Sequence, residues 1–129
     1  MSQPLDPGML QFNAALAAST PPGAEHWPLA KQRETWNAVC AQFRAPLPDT
    51  VEITDVNAAG VACRILRPKG QSVKAGVIYG HGGGWVLGGF ETHTDICAEL
   101  ADAADCVVVL MDYRLAPEHR YPAQLEDSL

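Results

Sequence analysis

A short apolar run, "AGVIYG", empties directly into the stretch "YGHGGGWVLGG", Tyr79 to Gly89, in which six of eleven residues are glycine. No other feature limits the possible folds as much. Glycine that dense after a strand brings a backbone very close to something else. Beyond it, Thr92 followed by Asp95 reads as a capping box for a helix running to about Ala104. Ile96, Cys97, Leu100, Ala101 and Ala104 would form its apolar face. "CVVVLM", Cys106 to Met111, follows without alternation and suits a strand buried inside a sheet. Strand, glycine loop, helix and strand make a βαβ unit, so the expected class is α/β.

Upstream of this unit the pattern changes twice. "VEITDV" alternates from Val51, "NAAG" has turn chemistry, and "VACRILRP" is extended up to Pro68, which predicts a hairpin. Residues 1–50 are helical in pattern: "MLQFNAALAA", the break "STPPG", then "LAKQRETWNAVCAQF" with Trp36, Val39, Cys40 and Phe43 on one stripe. "RAPLPD" closes that region as a linker.

The glycines could cradle three kinds of ligand. A phosphate loop needs G-K-S or G-K-T, and Gly88-Gly89-Phe90 supplies neither. A dinucleotide needs glycines at relative positions one, three and six, a spacing that Gly80, Gly82, Gly83, Gly84, Gly88 and Gly89 do not offer. Asp112, at the end of the next strand, could still imitate a ribose-binding acid, and a nucleotide-binding module stays open on that ground. The third possibility is an oxyanion hole, where backbone N–H groups meet the negative charge of an acyl-transfer intermediate and side chains would obstruct the approach.

A second segment, "DYRLAPEHRYPA" (Asp112 to Ala123), follows the buried strand. "HGGGW" and "DYRLAPEHRYPA" in this order resemble the hormone-sensitive-lipase-like family of α/β-hydrolase carboxylesterases. The resemblance covers residues 51–127 well and residues 1–50 only in kind. It implies an α/β-hydrolase fold, a central mostly parallel sheet flanked by helices. Residues 1–50 would then be a helical cap, and residues 51–129 the N-terminal half of the catalytic domain.

The resemblance also implies roles. Gly83 and Gly84 would donate their N–H groups to the oxyanion. Gly82 and His81 would support the loop, and Trp85 would line the acyl pocket or else pack in the core. Asp112, Tyr113, Arg114 and Glu118 would brace the loop as a scaffold of paired charges, with Pro117 fixing the turn. His93 and His119 lie among polar residues and read as solvated, and His26 has no evident partner.

The family's nucleophile is a serine in G-x-S-x-G, followed by an acid and a histidine. Serine occurs here only at positions 2, 19, 72 and 128. Ser72, in "GQSVK", has Lys74 where glycine is required. The triad is therefore expected outside these residues, and the chain is expected to be the N-terminal part of a longer enzyme: a fragment, a nicked chain or one of two pieces. The remainder of the hydrolase would be its partner, and these residues alone would be inactive.

The expected activity is hydrolysis of short- to medium-chain esters through an acyl-enzyme, as in serine esterases and lipases, with no metal or organic cofactor. A non-catalytic protein of the same fold, binding a small molecule in the ester pocket, stays open beside it. Composition fits a soluble domain, with 47% apolar and 19% charged residues. A net charge of −6 disfavours a nucleic-acid partner. No basic leader opens "MSQPLDPGML" and no apolar run approaches a membrane span, so a cytoplasmic location is expected. Cys40, Cys63, Cys97 and Cys106 lack C-x-x-C spacing and read as small hydrophobes in a reducing compartment.

Overall fold

The structure is a computed structural model that describes residues 6–70 and 75–129. It divides into two compact units, Met1–Phe43 and Arg44–Leu129. Ser72 and Lys74 lie outside the described residues.

The first unit holds α1 (Pro7–Ser19), a 3-10 turn (Ala24–His26) and α2 (Leu29–Gln42). Asp6 caps α1 by accepting from the Gly8 N–H at 2.8 Å, and Pro7 takes the first helical position, where its missing N–H is harmless. The stripe on α2 is used unevenly. Val39 is fully buried, Trp36 and Cys40 are half-buried, and Phe43 is 41% exposed. Phe12 of α1 meets the rings of Trp36 and Phe43 edge-on at 6.3 and 5.3 Å.

The second unit is a four-stranded mixed sheet made of β1 (Val51–Ala58), β2 (Val61–Pro68), β3 (Gly76–Gly80) and β4 (Val107–Asp112). It also contains α3 (Phe90–Ala104) and a short α4 (Ala123–Glu126). The strand order is β1-β2-β4-β3. β1 and β2 form the expected hairpin, closed by Ala59 and Gly60. β2 pairs antiparallel with β4, and β4 pairs parallel with β3 across the α3 crossover. β4 is thus interior, as its unbroken apolar run requires, and β3 is at the edge.

The core lies between α3 and one sheet face. Cys97, Ala98 and Ala101 of α3 meet Leu66, Val108 and Leu110, all fully buried. Ile53, Tyr79, Phe90 and Leu100 pack around them. Small residues on α3 let the helix approach closely. The buried stripe is rotated from the expected one, because Ile96 is 46% exposed and Ala104 is exposed, while Thr92 and Ala98 are buried.

The start of α3 also differs from the sequence reading. Gly89 is the N-cap and Thr92 sits three residues in, where its hydroxyl and the Gly89 backbone exchange hydrogen bonds in both directions at 3.1 Å. Arg64 crosses the edge of this core. It grips Asp55 of β1 with two nitrogens at 2.7 and 2.8 Å, reaches Thr94 of α3 at 3.0 Å, and lies 4.4 Å over the Phe90 ring.

Candidate active site

β3 delivers the chain at Gly80 into a single helix-like turn. The Gly83 carbonyl accepts from the N–H groups of Val86 and Leu87 at 3.1 and 2.9 Å. Two glycines make this turn possible. Gly83 has φ +126°, and a Cβ there would meet the Leu87 carbonyl oxygen at 2.0 Å. Gly88 has φ +92°, and a Cβ there would meet Gly82 O at 2.5 Å and His81 Nδ1 at 2.7 Å. Gly84 also has a left-handed φ, +61°, but a Cβ added there would meet nothing within 4 Å.

Two peptide planes at the start of the loop are held from several sides. The carbonyl of His81 accepts from the Tyr113 hydroxyl at 2.6 Å, and the Gly82 N–H of the same plane donates to His93 Nε2 at 3.3 Å. In the next plane, Gly82 O lies 2.8 Å from His81 Nδ1. A carbonyl only accepts, so Nδ1 carries the proton. Because that peptide is trans, fixing Gly82 O also aims the Gly83 N–H in the opposite direction. Among the described residues, the N–H groups of Gly83 and Gly84 have no acceptor.

The His81 ring stacks on Tyr113 at 4.2 Å with an 8° tilt and has His93 on another side at 5.4 Å. Its Nε2 is buried with no hydrogen-bond partner among the described residues. His93 is half-buried, not solvated as its sequence neighbours suggested. Burial first, and the adjacent His81 second, hold its pKa below the usual histidine value. Helical spacing could have revealed it, for His93 stands one turn before Cys97 on the core-facing side of α3.

Trp85 has φ +61° and is 64% exposed, which removes the core-packing option. With Gly84, Tyr121 and Leu125 it lines an open, largely apolar cavity of about 580 Å³. A second cavity of about 370 Å³ lies against Gly80, His81, Gly82, Gly84, Trp85 and Tyr113. Ser128 borders both. Its hydroxyl donates to the Gln124 carbonyl at 2.7 Å, and among the described residues no histidine bonds to it.

The two sequence motifs are stitched together, through Tyr113 of the expected scaffold but not through Arg114. The loop is braced by the Tyr113 hydroxyl and by the Ala116 N–H, which donates to the Trp85 carbonyl at 2.8 Å. Arg114 instead ties its own segment to the end of α4, reaching Asp127 at 2.7 Å and Glu126 at 3.1 Å. Buried Gln124 donates to the carbonyls of Arg114 and His119. His119 is exposed, and exposed His26 lies 3.6 Å from Glu25. Among the described residues no cluster of His, Cys, Asp and Glu could hold a metal ion. None of their helices is long and apolar enough to cross a membrane.

A family model for the alpha/beta hydrolase fold matches residues 77–129, and the relatives and solved structures that resemble the chain agree with it. The chain belongs to the α/β-hydrolase family. An AB hydrolase superfamily protein of Schizosaccharomyces pombe is 35% identical over 96% of this chain. The carboxylic ester hydrolase LipN of Mycobacterium tuberculosis is 36% identical over 78% of it. A crystal structure of an esterase from the bacterial hormone-sensitive lipase family superposes on 98% of the chain with a TM-score of 0.81 and 27% identity. The resemblance read from the two motifs therefore holds for the family and the fold. The chain spans 40% of the S. pombe protein, 27% of LipN and 41% of the solved esterase.

Proposed function

We propose that His81–Trp85 is the oxyanion loop of a serine carboxylesterase acting on short- to medium-chain esters. In this reading Gly83 and Gly84 donate their N–H groups to the oxyanion, Gly82 and His81 hold the loop in shape, and Trp85 lines the acyl pocket. Residues 1–50 serve as the cap that selects substrates. The nucleophilic serine, its base and its acid come from sequence outside these 129 residues; among the described residues neither Ser19, at the end of α1, nor Ser128 bonds to a histidine.

One observation carries the reading. Among the described residues the N–H groups of Gly83 and Gly84 lack an acceptor, directly after a peptide plane that is held on both edges. Unused donors on a rigid backbone are what a developing oxyanion requires, because they need no rearrangement when the charge forms. Serine attack on the ester carbonyl would place its oxygen there, the alcohol would leave with a proton from the base, and water would then release the acid. The names of the similar ester hydrolases support the same chemistry.

Gly84→Ala in the full-length protein tests it. The added methyl enters open space beside the cavity and costs about 1–2 kcal/mol through the left-handed φ of +61°, without a clash inside the turn. Ester turnover should fall on the order of 10- to 100-fold with the fold retained. A folded variant with parental turnover, or a full-length protein with no ester hydrolysis at all, would refute the proposal.

A further inference from the structure

Thr92 and His93 together fix a single arrangement of protons. The Thr92 hydroxyl has one hydrogen and two lone pairs. It accepts from the Gly89 N–H, donates to the Gly89 carbonyl, and lies 2.7 Å from His93 Nδ1. With its hydrogen on the carbonyl and one lone pair taken, it has a lone pair left for an Nδ1–H. The other end of the imidazole decides that this is the tautomer present. Gly82 N–H is a donor, so Nε2 opposite it bears a lone pair. The reverse tautomer would set two donors against each other across 3.3 Å.

We propose that His93 is a positioning residue, which as the neutral Nδ1–H tautomer anchors the peptide plane between His81 and Gly82 and releases it when protonated. The inference rests on the oxyanion reading of the loop. The plane has one hold on each edge: the Tyr113 hydroxyl on the His81 carbonyl, and His93 on the Gly82 N–H. A second proton on His93 turns the acceptor into a donor and frees one edge. The plane that aims the Gly83 N–H comes directly after it, so the slack is transmitted to the donors.

The titratable groups around His93 are His81 from the loop, Tyr79 from β3 and Asp95 on its own helix, with Asp112 and Tyr113 of the β4 end beyond His81. Burial and His81 oppose a proton on His93, while Asp95 and the Gly89 backbone favour one; the first pair prevails. The neutral form is therefore the resting state near neutral pH.

The test is a long-range 1H–15N spectrum of the full-length protein labelled with 15N-histidine, followed as a pH titration. His93 should show a protonated Nδ1 and a bare Nε2 near pH 7, and the Gly82 amide shift should follow the His93 titration. In His93→Gln, whose side-chain oxygen can accept the same N–H without titrating, that dependence should vanish. An Nε2-protonated His93, or a Gly82 amide that ignores the titration, overturns the proposal.

Kinetics supply the second arm. His93→Ala should lower kcat by about tenfold with KM little changed, and His93→Gln should recover most of the loss. If Gly84→Ala is crippled while His93→Ala turns over normally, the positioning role falls and the oxyanion reading stands. If the spectra are as expected but Gly84→Ala is silent, the oxyanion reading falls, and the role of His93 in catalysis falls with it.

Discussion

Tyr113 holds His81 in two ways at once: its ring lies flat on the imidazole at 4.2 Å, and its hydroxyl donates to the His81 carbonyl at 2.6 Å. The stacking is apolar packing, whereas the hydrogen bond fixes the direction of a peptide plane. Tyr113→Phe separates them, since it keeps the ring and deletes the donor. The buried carbonyl would be left without that partner, a loss of about 1–3 kcal/mol. Denaturant unfolding should show that loss, and ester turnover should drop further than stability alone accounts for. Unchanged turnover would limit Tyr113 to packing.

Adjacent glycines should respond in opposite ways to the same methyl. At Gly83 it points into the turn, against the Leu87 carbonyl, so Gly83→Ala has to deform the loop. A destabilisation of about 1–3 kcal/mol should accompany its loss of activity. Gly84→Ala carries the left-handed strain without the clash, so it should lose activity with a smaller change in unfolding midpoint. Equal destabilisation of the two variants would contradict the loop geometry.

Thiol chemistry offers a check on the core. Cys97 is fully buried, and burial, with a smaller push from Asp95, drives its thiol up to about 12. At pH 8 its thiolate fraction would be roughly one in ten thousand. Cys63 is shifted in the same direction by burial, with a smaller contribution from Asp112, whereas Cys40 is only half-buried. Alkylation followed by peptide mass spectrometry should therefore modify Cys40 first and Cys97 only on unfolding.

Acid should weaken the hairpin edge through Asp55. Hydrogen bonds from Arg64 hold its carboxyl below the ordinary value, so the folded state favours the charged form. That stabilisation is complete above the unfolded pKa near 4 and disappears as pH falls through the lower folded value. The pair is partly exposed, so its worth is below about 1 kcal/mol. Asp55→Asn should lower the thermal midpoint slightly at pH 7, and the difference between the two proteins should shrink as pH falls below the unfolded value.

The backbone plan was readable wherever a single physical pattern ruled a segment. "VEITDV" and "VACRILRP" alternate around a glycine turn, and they form β1 and β2 in register from Val51 to Pro68. "CVVVLM" has no polar face, and β4 is interior. Patterns failed where a residue's work depends on distant partners. Arg114 reads as part of a charged motif, yet its partners Asp127 and Glu126 belong to the turn that follows. His93 sits in the polar string "ETHTD", but only the docking of α3 against β2 and β4 shows that its ring meets Gly82. Thr92 looked like a cap because threonine usually is one; Gly89, with no side chain to block the turn, took that place and left Thr92 to orient a histidine.

The two holds on the glycine loop from "DYRLAPE" bear on the order of events during synthesis. His81 and Trp85 are secured by Tyr113 and Ala116, which leave the ribosome some thirty positions later. Until then the loop has its local turn but neither of those brackets, and an emerging chain that ends within α3 carries glycines without a settled shape. The site is completed only when β4 and the segment after it have emerged and docked. A loop built this way is kept out of its final shape until the sheet beneath it is in place.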